Sequence, residues 1–247
     1  MSFFKSIIVA FQFLTRFYLP INAEWSEKNL KYSLMWFGLV GATIGTLFTI
    51  IVKLLMHFLI PTPVIALAIL IVWIIITGGM HLDGLSDTCD GFFSNRDRER
   101  ILEIMKDSRV GTFGVIVIVL VLFFKFEMLK LFLTFNKSIW LLTVPPMFAR
   151  LCAGFVLSFY ETVKKSGLGY TFHNTNPKAT WMIGFSICSI MTLYLELKLW
   201  SFIIISFVIA NLIAMYAKKK IGGASGDIYG AIVEIVEVWG MIAICII

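Results

Sequence analysis

Asp83, Asp87 and Asp90 stand four and three residues apart in the stretch GGMHLDGLSDTCDGFF, residues 78 to 93, directly after the apolar run IVWIIIT. On a helix, positions i, i+4 and i+7 share one face, so the spacing predicts three carboxylates projecting together. Like charges this close repel one another unless a cation neutralises them. Hard oxygen ligands on one face suit Mg²⁺ or Mn²⁺, which bind a few carboxylates together with substrate phosphate oxygens. Gly84 and Gly91 leave room for a bulky ligand to approach the backbone. A solvated juxtamembrane helix with ordinary charges is the plainer reading. Charge at the edge of a membrane span is costly, however, and points first to function.

Basic residues follow. In SNRDRERILEIMKDSRVGTFG the charges alternate in sign, and Asp97 to Glu103 reads as an exposed, salt-bridged helix. Lys106, Asp107 and Arg109 differ, because they precede Gly111 and Gly114 at the start of an apolar span. Positive side chains beside a helix N-terminus can cradle phosphate. Lys164 and Lys165 open the glycine-containing loop KKSGLGYTF, which is either a plain basic loop or part of a site.

In KKKIGGASGDIYGAIVEIVE, residues 218 to 237, three glycines precede Asp227 at the head of the last span. Glu234 and Glu237 lie seven and ten residues further on, inside that span. Carboxylates in lipid need a partner. A shared metal site would supply one, and mid-span Arg150 is the alternative counter-charge. Metal-holding carboxylates beside phosphate-binding cations describe phosphoryl transfer, where catalysis is mostly positioning and charge neutralisation. The chain has no P-loop and no glycine fingerprint of a dinucleotide fold.

The elements that must position these residues are membrane helices. The 247 residues are 59% hydrophobic and 15% charged, with mean hydropathy +0.91. Soluble domains carry about 25% charged residues, so the composition predicts an all-α, polytopic membrane bundle forming a single domain over 1–247. Seven spans are expected, at 33–55, 63–80, 110–133, 138–159, 180–197, 199–217 and 228–247. Pro145-Pro146 is expected to kink the fourth. The first twenty residues read as an amphipathic helix that is retained, with Lys5 inside the apolar stretch and no small-residue cleavage site. Cys89, Cys152, Cys188 and Cys245 form no CxxC pair, which argues against zinc and disulfides.

With seven spans, one face receives Arg16, Lys28, Lys31, Arg96, Arg98, Arg100, Lys106, Arg109, Lys164, Lys165, Lys178 and Lys218 to Lys220, fourteen in all. The other receives Lys53, Lys125, Lys130, Lys137 and Lys198, five in all. The bias places segments 81–109, 160–179 and 218–227 in the cytoplasm, with the active site facing it. The net charge of +6 reads as basic loops against anionic lipid, with no nucleic-acid partner. On the residues alone, a membrane phosphotransferase of CDP-alcohol type and a divalent-cation transporter stay open.

The chain resembles the cobalamin synthase family, the adenosylcobinamide-GDP ribazoletransferases. The matching stretches are FLTR (13–16), FGLVGATIG (37–45), GGMHLDGLSDTCDG (78–91), EIMKDSRVGTFG (103–114), AR (149–150), GLG (167–169) and GGASGDIYGAIVE (222–234). Cys89 stands where a small residue is expected, and Ser225 where threonine is common; neither departure replaces a carboxylate. The resemblance implies a Mg²⁺-dependent enzyme of the cell (inner) membrane. It would join adenosylcobinamide-GDP to α-ribazole or its 5′-phosphate, giving adenosylcobalamin or its phosphate and GMP. Carried over, it puts Asp83, Asp87, Asp90 and Asp227 on the metal. Lys106, Arg109 and Arg150 become phosphate-binding candidates, with Lys164 and Lys165 beside them.

Overall fold

The computed structural model describes residues 2–17, 20–21, 23–135 and 137–246. Residues 1, 18 and 19 of the expected N-terminal stretch, and residue 247 of the expected last span, lie outside them. Among the described residues there are twelve α-helices and no β-strand, as expected of an all-α bundle. They are α1 (Ser2–Leu14), α2 (Glu27–Ser33), α3 (Phe37–His57), α4 (Thr62–Thr77), α5 (Met80–Phe93) and α6 (Arg98–Ile104). There follow α7 (Thr112–Thr134), α8 (Val144–Phe159), α9 (Leu168–Asn174), α10 (Lys178–Leu195), α11 (Trp200–Ile221) and α12 (Gly226–Ile246).

Among the described residues, five helical stretches are long and apolar enough to cross a membrane: those containing α3, α8, α10, α11 and α12. A sixth is present if α4 and α5 count as one bent span. α7 is 23 residues long, about 34 Å at 1.5 Å per residue, and is of spanning length as well. α8 and α12 form the centre: 83% and 78% of their apolar windows are buried, against 28–39% for the spans with α3, α10 and α11. The outer helices turn Ile50, Leu54, Ile71, Ile75, Leu120 and Phe123 outward, as helices in lipid do.

α1 is too short to cross, at 13 residues. It buries Ile8, Val9 and Leu14 against the bundle and exposes Phe3 and Phe4, which fits the amphipathic reading. Pro145 and Pro146 do not kink a span. A 3₁₀ turn over Ile139–Thr143 precedes them, and they occupy the first turn of α8. There the missing proline N–H has no helical partner to lose, so the pair starts the helix rather than bending it.

Candidate active site

The site begins with a corner. Gly78 and Gly79 both adopt left-handed backbone, φ +62° and +70°, which a side chain would disfavour. This double reversal turns α5 by 84° from α4 and lays its acidic face across the end of the bundle. Asp83 is exposed, while Asp87 and Asp90 are half-buried.

α5 crosses α12 at close range. A methyl group on Gly84 would meet the Asp227 Cα and carbonyl oxygen at 2.9 Å, and one on Gly230 would meet the His81 carbonyl oxygen at 3.1 Å. Glycine at both positions lets the backbones touch, which brings Asp227, in the first turn of α12, beside Asp83 and Asp87. Asp87 faces Asp83, Asp227 and Asp90 as like charges. The Ser225 hydroxyl donates to Asp227 Oδ2 at 3.2 Å. Among the described residues, none of the four aspartates takes part in an ion pair, whereas Glu103, Asp107, Glu127, Glu234 and Glu237 all do.

Asp90 has a separate role that spacing did not reveal. Its carboxylate accepts the backbone N–H of Gly111 at 2.7 Å and of Gly114 at 2.9 Å. It therefore caps α7 from another helix and supplies the negative charge that a helix N-terminus favours. The expected phosphate cradle at Gly111 and Gly114 is already filled by this carboxylate. Arg109 does not reach that cradle either. It is largely exposed and forks onto Asp107, with Nη2 to Oδ2 at 2.6 Å, and this hydrogen bonding holds the Asp107 carboxyl down at about 2.

The basic side chains that do converge line a cavity of about 190 Å³ beside Asp227. Its polar wall includes Lys106, Lys164, Ser166, Ser225, Asp227 and Tyr170. Lys165 is exposed and outside this lining. Two loops meet here through an isolated parallel bridge between Thr162 and Ala224. The Val163 N–H donates to the Ala224 carbonyl, and the Ala224 N–H donates to the Glu161 carbonyl, each at 2.9 Å. That bridge carries the lysine loop after α8 to the glycine-rich approach to α12, so the 160–179 and 218–227 segments share one site. Tyr170 and Tyr229 also line the cavity, and sequence reasoning passed over both. Each follows the glycine-rich stretch that shapes the cavity, in GLGY and GDIY, which was the available signal.

Arg150, Glu234 and Glu237 belong elsewhere. Arg150 is fully buried and its guanidinium pairs with Glu237 and donates to the Pro146 carbonyl, and it does not line the lysine-lined cavity. Lys125, expected on the opposite face, is buried within the bundle. It reaches Glu234 at 2.6 Å and also Glu237, with its ammonium 4.5 Å from the centre of the Trp73 ring. Two cations and two anions thus neutralise one another across α7, α8 and α12. The glutamates need no metal, and lipid tolerates a paired cluster far better than a lone charge. Removing Lys125 from the earlier count leaves fourteen basic residues against four.

These features define a polytopic membrane protein with an acidic cleft and an adjoining lysine-lined cavity on one end of the bundle. A family model described as Cobalamin-5-phosphate synthase matches residues 6–245. The chain belongs to that family. A curated relative named Adenosylcobinamide-GDP ribazoletransferase, from Clostridium botulinum (strain 657 / Type Ba4), is 36% identical over 242 residues, covering 96% of each chain. Relatives of the same name from Caldanaerobacter subterraneus subsp. tengcongensis and Clostridioides difficile (strain 630) are 36% and 37% identical, covering 94% of each chain. No solved structure matches.

Proposed function

We propose that the protein is an adenosylcobinamide-GDP ribazoletransferase acting at the cell (inner) membrane, with its cleft facing the cytoplasm. The observation that carries the reading is the meeting of unpaired Asp83, Asp87 and Asp227 with the Lys106–Lys164 cavity, in a chain that matches relatives of that name over 96% of its length. The 3′-hydroxyl of α-ribazole, or of its 5′-phosphate, attacks the cobinamide-side phosphorus of adenosylcobinamide-GDP. An O–P bond forms, the diphosphate P–O bond breaks, GMP departs with the bridging oxygen, and the hydroxyl proton is released.

Lys106 and Lys164 hold the diphosphate, and Ser166 and Ser225 add hydrogen bonds to its oxygens. Positioning of this kind accounts for much of the acceleration in phosphoryl transfer.

Among the described residues, no three carboxylate, histidine or cysteine side chains already form a metal cage. Mg²⁺ does not demand one, because it is held by one or two carboxylates together with substrate phosphates and water. Asp83, Asp87 and Asp227 fit that pattern, since they crowd one another and, among the described residues, none of them takes part in an ion pair. They are the residues that would hold the ion; Asp90, its oxygens bonded to two amides, would orient them. When bound, Mg²⁺ supplies charge neutralisation for the diphosphate and the departing GMP.

Purified protein supplied with adenosylcobinamide-GDP, α-ribazole and Mg²⁺ is expected to release GMP in proportion to acceptor, and EDTA is expected to stop it. GMP release that ignores the acceptor, or none at all, would overturn this reading.

A further inference from the structure

A second cavity, of about 240 Å³, lies on the other side of Asp227, walled by α1, α3, α5, α8 and α12. Its walls are mostly carbon: Phe13, Leu14, Phe37, Met80, Leu157 and Val233. It shares Gly226, Asp227 and Tyr229 with the lysine-lined cavity, so the two meet along the first turn of α12. Two polar groups on its walls have no partner. His81 is 6% exposed and its Nδ1 accepts or donates no hydrogen bond; Tyr229 is 8% exposed and its hydroxyl is unbonded. Buried polar atoms left unpaired cost about 1–3 kcal/mol each, so two on one small cavity point to a ligand that satisfies them.

We propose that this apolar cavity binds the flat aromatic base of the acceptor nucleoside, with His81 and Tyr229 as its polar anchors. The inference rests on the reading of the protein as a ribazoletransferase and assigns the acceptor its place in that site. Size separates the two substrates. A site that holds a drug-sized ligand measures about 300–1,000 Å³, so this cavity has room for a bicyclic ring and none for a corrin macrocycle. Polarity separates them as well: the diphosphate belongs with the lysines, and an uncharged ring belongs among Phe13, Phe37 and Leu157. Position completes the argument. A nucleoside seated here presents its ribose at Asp227, where the phosphorus of a donor held in the neighbouring cavity lies within reach of a hydroxyl.

The test uses the purified full-length protein and separates the Michaelis constants of the two substrates. Ala153, 2% exposed, lines the same cavity, and Ala153→Leu fills part of it. Tyr229→Phe removes only the hydroxyl and keeps the ring. We expect Ala153→Leu to raise KM for α-ribazole at least tenfold and Tyr229→Phe to raise it about threefold to tenfold. KM for adenosylcobinamide-GDP should move by less than threefold in Ala153→Leu, and by less than the acceptor KM in Tyr229→Phe, because Tyr229 also lines the lysine-lined cavity. Thermal melting in detergent shows whether Ala153→Leu is folded, and Tyr229→Phe carries the test if it is not. An unchanged acceptor KM in a folded variant, as when a lipid chain rather than the nucleoside fills the cavity, overturns the inference. So does a rise confined to the donor KM. GMP release by the unsubstituted protein is measured alongside. Its failure would sink the functional reading itself, whereas normal release with an unmoved acceptor KM would sink only this assignment.

Discussion

Gly84 of α5 lies against the backbone of Asp227 of α12, so close that a single methyl group would come within 2.9 Å of the Asp227 Cα. This contact joins two segments more than a hundred residues apart and sets the distance between their carboxylates. Gly84→Ala must push the helices apart. It is expected to cost about 1–3 kcal/mol of stability, the usual penalty of overpacking, and to lower GMP release at least tenfold in the folded fraction. Thermal melting and turnover of the same preparation measure both. Full turnover in a stable Gly84→Ala protein would show that the close crossing is dispensable.

Asp90 should behave unlike its neighbours. Asn keeps one acceptor but loses the charge and one of the two bonds to Gly111 and Gly114. Loss of a helix cap costs about 0.5–2 kcal/mol, so Asp90→Asn should lower the melting temperature. Its Mg²⁺ midpoint for activity should stay within about twofold of the unsubstituted value. A large midpoint shift with unaltered melting would make Asp90 a ligand after all.

Arg150 offers a contrast between stability and binding. Arg150→Met leaves the buried Glu237 with Lys125 alone, and breaking a buried pair costs about 3–5 kcal/mol. Adding Glu237→Gln should restore much of the lost melting temperature, because replacing both charged partners is far cheaper than removing one. Chemical or thermal unfolding of the two proteins in detergent decides this. A double variant no more stable than the single one would contradict the pairing.

Much of the site was legible in the sequence because helical periodicity and glycine placement are local signals. The spacing of Asp83 and Asp87 put them on one face, and the glycines before Asp227 marked a helix start. Asp90 could not be separated from them, since its partners are amides 21 and 24 residues away, reached only because α5 and α7 come together. Lys125 is miscounted for the same reason, and for Arg150 the counter-charge alternative is the one that the Arg150–Glu237 pair fits. The mid-span position of Arg150 announces a partner but does not say whether it is a phosphate or Glu237. The turn at Pro145 was read as a kink because a proline pair reads alike at a helix start and in its middle until the preceding 3₁₀ turn is seen.

The orientation rests on fourteen basic residues against four, and it can be tested in whole cells. Single cysteines replacing Ser108 and Lys219, both exposed, in a protein lacking its native cysteines, should escape a membrane-impermeant maleimide in intact cells. They should react once the cells are opened. Labelling of either residue from outside would reverse the topology.

The central claim is that Asp83, Asp87 and Asp227 form one metal-dependent site across two distant segments. GMP release across a Mg²⁺ titration, compared between the unsubstituted protein and Asp227→Asn, tests it most directly. Asn preserves size and removes the charge. A loss of at least about 100-fold in turnover is expected, equivalent to roughly 2.7 kcal/mol of transition-state stabilisation, with the Mg²⁺ midpoint moved upward. Asp97→Asn, at the exposed start of α6, is the control and should stay near the unsubstituted rate. Full activity in Asp227→Asn with an unchanged Mg²⁺ midpoint would contradict the two-segment site.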